Sequence, residues 1–385
     1  MKKKLIAIGI IIMFLVGLCG CNEQQIDEDD EDNGSDESET EEEPEVTAQM
    51  FYVGGVGSNN YSIIQFAIND ASDGDTVYVY SGTYYENFKV NKSIKLIGEN
   101  EESTIIDGDT VDDVVYISAE SVTINGFTIQ HSKNELMDRK SGIKVRRDNA
   151  IITNITVKLN GNGIQTYLSD NHTIKNNYII GNFEGISVQT SDNNVISDNI
   201  ITSNDNTGVF CYNSDKITIS NNNFSNNKDS IDLSVTNLSV ITNNNILPEQ
   251  SGIGLIYSYN NVVSYNTISS GIYAAMGVNR GSYNVFYGNT ISDNGGAGLS
   301  FATDATNNIA YHNNFINNYE NAYNNLDNTW YNETLEEGNY WSDYTGVDAD
   351  DDGIGDTPYN ILNTGDEYSG YQDIYPLINQ FEYHV

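Results

Sequence analysis

Three shortages frame this chain of 385 residues. Cysteine is the first, with only Cys19, Cys21 and Cys211. Two of these lie beside an N-terminal apolar run and the third stands alone, so no disulfide framework holds the fold. Positive charge is the second: 17 Lys and Arg face 55 Asp and Glu, for a net charge of −38. A body of that sign repels phosphate, which excludes nucleic acid and an anionic lipid surface as partners of the body as a whole. The third is helical patterning. Helical repeats need amphipathic runs of about ten residues, and the repeats of the central region, residues 151–315, have no room for them.

That region carries instead the pattern apolar-x-x-Asn-x-apolar. Its anchors are Asn154, Asn177, Asn199, Asn222, Asn244, Asn266, Asn289 and Asn313, spaced 22 to 24 residues apart. Three residues before them stand Ile151, Ile174, Ile196, Ile219, Ile241, Val263, Phe286 and Ala310. Two residues after them stand Thr156, Ile179, Ile201, Phe224, Ile246, Ile268, Ile291 and Phe315. A small-then-apolar pair follows in each unit, from Gly163-Ile164 through Gly252-Ile253, Gly277-Val278 and Gly298-Leu299. A fixed period with short, alternating, β-branched apolar runs means stacked strands. The expected fold is all-β: a right-handed, single-stranded parallel β-helix of about 22-residue coils. The anchoring Asn is expected to take the left-handed conformation at a sharp bend and to bond the Asn above and below, as a structural ladder.

In chain order, Lys2, Lys3 and Lys4 precede an apolar run over residues 5–18 and the segment Leu18-Cys19-Gly20-Cys21. Residues 1–21 are expected to be a lipoprotein signal peptide with Cys21 as the lipidated residue. Residues 22–48 form an acidic tether whose like charges keep it extended. It holds fourteen acids, and without these and the signal lysines the body retains 41 acids and 14 bases, a net charge near −27. Cys211 then reads as a small buried hydrophobe. The β-helix is expected over residues 49–328 and a C-terminal cap over 329–385. A short amphipathic helix within residues 62–71, followed by Gly74, would cover the open N-terminal end of the stack.

One interval breaks the period: Asn125 to Asn154 spans 29 residues, and the polar excess at 130–141 must leave the coil as a loop. Arg139, Lys140, Lys144, Arg146 and Arg147 cluster there. They form either an anion-binding spot, for a uronate or a sulfated sugar, or a set of counter-charges for acids such as Glu135, Asp138 and Asp148. Further on, 17 of the 27 tyrosines lie after residue 250. Tyr287 and Tyr311 hold the same position in successive coils and should stack, as a platform for sugar rings or simply as good strand formers.

After residue 315 the composition changes. Asp348, Asp350 and Asp352 at spacing two, with Gly353, the Ile354 carbonyl and Asp356, have the form of a calcium loop. Tyr359 stands where an EF-hand has its bidentate Glu and no helices flank the segment, so it is a calcium-type loop of another kind, expected to lock the cap.

The opening G-D-T-V-Y-V and G-T-Y-Y-E-N (74–79 and 82–87), the N-N-x-I coils, and the ending G-N-Y-W-S-D-Y, D-x-D-D-D-G-I-G-D-T-P-Y and Y-P-L (within 338–377) resemble the NosD-type β-helix family. The resemblance covers about residues 50–380. It implies a place among β-helix carbohydrate-binding proteins and sugar hydrolases. The family's namesakes are described as periplasmic copper-binding proteins assisting nitrous oxide reductase maturation, while many chains carrying the domain are surface proteins without known activity. Copper needs grouped imidazole or sulfur ligands, and here His131, His172, His312 and His384 are scattered, with His131 and Met137 the one suggestive pair. The start Gly82-x-Tyr84-x-Glu86 is similar to that of pectin methylesterases, whose paired aspartates are absent. The nearest lyase-like grouping is Asp148 with Lys144 and Arg146, and Asp170 with His172 one coil on. The resulting expectation is a lipid-anchored protein at the extracellular face of the membrane that binds polysaccharide or a cell-envelope partner, without implied catalysis. The alternatives are a lyase or epimerase acting on acidic glycans and a copper-binding accessory protein.

Overall fold

The computed structural model describes residues 47–362 and 368–382. The signal segment with Cys21, the acidic tether up to residue 46, and His384 lie outside the described residues. Successive windings lie on one another as a right-handed parallel β-solenoid. Each winding contributes one strand to each of three sheets, as in Thr173–Lys175, Tyr178–Ile180 and Glu184–Gln189. The first sheet has twelve strands, from Met50–Val53 to Ile309–Tyr311, and the second has twelve, from Gly82–Tyr85 to Tyr340–Trp341. The third has thirteen, from Phe88–Val90 to Tyr368–Asp373. Strands this short persist because each is hydrogen-bonded on both sides and its inward residue is buried.

Like residues pile into columns. In the first sheet Ile152, Ile174 and Ile196 pair in register, and in the second Val157, Ile179 and Ile201 do so. All six are fully buried. Here the structure corrects the sequence register by one residue. Ile151, expected in this column, is 40% exposed, and Ile152 takes its place. Thr156, the single polar member of the expected second column, is replaced by Val157.

The same correction applies to the anchors. Asn177, Asn199, Asn222, Asn244, Asn266, Asn289 and Asn313 form the ladder, each side-chain amide donating to the next Asn Oδ1 at 2.9–3.1 Å, with Asn339 closing it. These residues are not left-handed. The bend is made by the residue before each: Asn176, Asp198, Asn221, Asn243, Tyr265, Gly288 and His312, with φ between 54° and 67°. Asn154, with φ 50°, belongs to that bending column, and Ile155 holds the first ladder position, donating its N–H to Asn177 Oδ1. The other corners carry ladders that the sequence reading missed. Asn160, Asn182, Asn204 and Asn227 form one, and Asn261, Asn284, Asn308 and Asn328 form another. The former stops where Pro248, whose ring fixes φ near −65°, takes the bending position and exposed Glu249 takes the ladder position.

Both ends are closed. The helix α1, Ile64–Asp70, buries Ile64, Ala67 and Ile68 over the first winding. Its unpaired N-terminal amides are met by Glu86, whose carboxylate accepts from Ile64 N at 2.9 Å and Gln65 N at 3.3 Å. The methylesterase-like start is therefore a cap. At the far end Trp341 stacks between Phe315 (4.6 Å, 10°) and Tyr359 (4.2 Å, 7°), with Trp330 buried beside it. The excursion at 130–141 is a hairpin, Asn134–Glu135 against Asp138–Arg139.

Candidate functional site

The outward face of the third sheet holds the most chemistry. One outward column runs Lys144, Gln165, Ser187, Phe210, Asp232, Gly254, Gly277. Two residues along the strands a second column runs Tyr167, Gln189, Tyr212. Phe210 and Tyr212 therefore share the outer side of one strand, and Tyr212 is 48% exposed.

At Asp232 the face opens into a pocket of about 230 Å³ lined by Asp229, Asp232, Ser251, Gly254, Ala274 and Gly277. The two glycines make it. A Cβ on Gly254 would lie 2.5 Å from Asp232 Oδ1, so the carboxylate leans over that bare backbone, and a Cβ on Gly277 would meet nothing within 4 Å. The sequence reading placed Gly277 in the inward small-residue column. The structure puts Ala275-Met276 there, because Ile253 pairs with Met276 and Gly254 with Gly277. The true inward glycines are crowded: a Cβ on Gly185, Gly208, Gly252 or Gly298 would lie 2.3–2.7 Å from the next winding's carbonyl oxygen.

Among the described residues no donor reaches the Asp232 carboxylate. Burial, then the charges of Asp229 and Glu184, push its pKa up to about 6. Glu184 is also raised by burial, against the opposing pull of Ser187, Arg139 and Asn206. A half-buried acid without a donor costs free energy that a ligand hydroxyl can recover.

The five clustered cations disperse. Lys140 pairs with Asp138 at 3.2 Å and Asp112 at 3.5 Å, and Lys144 with Asp113 at 3.8 Å. The Arg139 guanidinium lies 3.5 Å over the Phe183 ring, and that of Arg146 lies 4.4 Å over Tyr167. Arg147 donates to the Arg146 carbonyl at 2.8 Å, and no described acid pairs with it. Lys140 and Lys144 thus serve as counter-charges, with Asp112 and Asp113 as partners beyond those expected. Tyr287 and Tyr311 stack as expected, 5.6 Å apart and 11° from parallel, and Tyr265 meets Tyr287 edge-on. Their mutual faces are thereby used within the column. Asp148 and Asp170 belong to a corner column in which each Asp accepts the neighbouring winding's N–H. His172 is buried inside that corner, its Nδ1 accepting from Ala150 N, and burial lowers its pKa to about 4.

The described residues bring no set of imidazole and sulfur ligands together for copper. His131 is bound to Asp107 at 2.9 Å, His312 to Glu337 at 2.5 Å and to the Phe381 ring, and Met137 projects from the hairpin tip, 95% exposed. Cys211 is fully buried and its thiol is pushed far up. A hard-cation site fits better: Asp348, Asp350 and Asp352 offer oxygens within 4.8 Å of one another, and their mutual repulsion raises Asp350. Asp356 is turned to Ala349 N, and Ile354 bridges to Leu377 of the cap.

Two family models match. "Right handed beta helix region" covers residues 97–246, and "Periplasmic copper-binding protein (NosD)" covers residues 214–346. No curated protein matches the chain. Among solved structures, the A-module of the Azotobacter vinelandii mannuronan C-5 epimerase AlgE6 is 17% identical, with a TM-score of 0.52 over 72% of this chain and 87% of that one. DFA-IIIase from Arthrobacter chlorophenolicus A6 without its lid is 14% identical, with a TM-score of 0.54 over 76% and 94%. The Dettilon tailspike protein is 16% identical, with a TM-score of 0.51 over 67% and 64%. Likeness at such identity is likeness of fold. The chain is thus a right-handed parallel β-helix whose residues 214–346 match the NosD family model, consistent with the NosD-type resemblance of its sequence.

Proposed function

We propose that this protein is exported, held at the outer face of the membrane through Cys21, and binds a polysaccharide along the outward face of its third sheet. The observation that carries the reading is the pocket at Asp232 beside Phe210 and Tyr212 on one rigid, regularly spaced surface. Aromatic faces take the C–H side of a sugar ring, while carboxylate, amide and hydroxyl groups take its hydroxyls. The fold neighbours support a glycan, since an epimerase module and a DFA-IIIase share the solenoid. The three N-terminal lysines, the apolar run and Cys21 support export and lipidation. Binding of soluble oligosaccharides to the full chain, followed by calorimetry, is expected to weaken at least tenfold in Phe210→Ala/Tyr212→Ala. Equal affinity in the double variant would remove this face from the account.

The Asp348, Asp350 and Asp352 loop is assigned to calcium as a structural ion of the C-terminal cap. Three carboxylates this close repel one another unless a cation supplies the balancing charge. Millimolar calcium is expected to raise the melting temperature, and Asp350→Ala to abolish that rise. An identical rise in the variant would place the ion elsewhere.

A further inference from the structure

The charge of the pocket says which class of glycan it takes. The inference rests on the glycan reading above and narrows it. Every ionisable group at the pocket is acidic: Asp229 and Asp232 line it, and Glu184 lies close enough to raise Asp232. Lys140 and Lys144 pair with carboxylates and Arg139 lies over the Phe183 ring beside Glu184, and although Lys228 precedes Asp229 in the chain, the charges that act on Asp232 are those of Asp229 and Glu184. The body around the pocket carries a net charge near −27. A uronate or sulfate would therefore bring another anion to acids that already repel one another, in a pocket that no described cation lines. A sugar hydroxyl brings what the Asp232 carboxylate lacks, a donor. Gly254 and Gly277 leave the bare backbone over which a ring can approach, and Phe210, one winding below Asp232 in the same column, offers it an apolar flank.

We infer that the pocket at Asp232 selects an uncharged, hydroxyl-rich glycan and rejects uronate and sulfated chains. The basic segment at 139–147, which in sequence suggested the opposite preference, does not reach this pocket as a free cationic surface.

The test uses the full chain and two series of probes: neutral glucan, galactan and xylan oligosaccharides, and oligogalacturonate with oligomannuronate. Two variants separate the outcomes. Gly277→Leu fills the pocket from a position where a side chain meets no atom, so the fold and its melting temperature are expected to be retained. Asp232→Asn keeps the shape and removes the charge. A neutral oligosaccharide is expected to bind at least tenfold more tightly than any uronate, to lose at least tenfold in Gly277→Leu, and to lose part of its lead over uronates in Asp232→Asn. A uronate that binds more tightly than the neutral series, and is lost in Gly277→Leu, overturns the inference while leaving the glycan reading intact. Binding indifferent to Gly277→Leu overturns the inference alone, and binding of neither series overturns both.

Discussion

Asp373 shows how much one side chain decides at the C-terminal end. It is fully buried and accepts from Asn339 N (2.7 Å), the Trp341 indole (2.9 Å) and Tyr375 N (3.1 Å). Gly338 is bare because any Cβ there would run into this carboxyl. The segments G-N-Y-W and Y-P-L, two parts of the ending that carried the family resemblance, are thus two halves of one cap, with Asp373 just before the second. They report the fold's closure, and they leave the function of the outer face open. Burial raises Asp373 from an ordinary 3.8 to about 7. Between those values the folded state holds a proton that the unfolded chain releases. This contribution to stability is therefore fully present below about pH 4 and is lost as pH rises through 7. Asp373→Asn is expected to flatten that part of the stability-against-pH curve, measured by denaturant unfolding. It also gives up the Tyr375 bond if its carbonyl faces Asn339 and Trp341. An unchanged slope would mean that the group does not titrate in this range.

The corner is the element on which the solenoid depends. Three kinds of residue make it: one that bends, one that ladders and one that is buried in the following strand. The left-handed residue costs about 1–2 kcal/mol when it is not glycine, and the buried amide beside it offsets this by satisfying backbone groups that the bend leaves without partners. Asn222 accepts from Asn199 N and Nδ2, and donates to Ile196 O and Asn244 Oδ1. Asn222→Ala strands these groups inside the core and is expected to cost about 3 kcal/mol. Asn223→Ala, at the exposed neighbouring position, is expected to stay within about 0.5 kcal/mol. Chemical denaturation of the pair checks the difference, and equal effects would refute a ladder-specific role. The corner also explains the misread register. Asn154 and Asn177 look equivalent in sequence because both corner positions favour Asn, one for its tolerance of positive φ and one for its amide. Only Thr156, polar in an otherwise apolar column, signalled the slip.

At the scale of the whole molecule, stacking turns sequence period into surface. A face built from one residue per winding is straight and rigid, and the closures by α1 and by Trp330 and Trp341 keep its ends from pairing with other chains. The surplus negative charge keeps such a rod soluble, and it sets the electrostatic terms on which a ligand approaches. The same stacking dissolved the apparent basic patch. Lys140 and Lys144 are neighbours of Arg146 in sequence, but each turns to an acid of the earlier segment at 112–113.

The sequence by itself determined the parallel β-helix, its coil length, the capped ends and the burial of Cys211, because a period near 22 with β-branched inward residues admits one way of hiding apolar surface. It could not determine which side chains share the outward columns. A strand alternates its faces every residue, so a displacement of one position exchanges inside for outside, and that displacement is fixed by ladder and corner contacts between windings. Gly277 read as a packing glycine and became the floor of a pocket, and Asp232 drew no attention until the winding beyond it proved to carry no side chain above its carboxylate. Tertiary structure decided both, since the neighbours that give these residues their chemistry lie a full coil or more away in the chain.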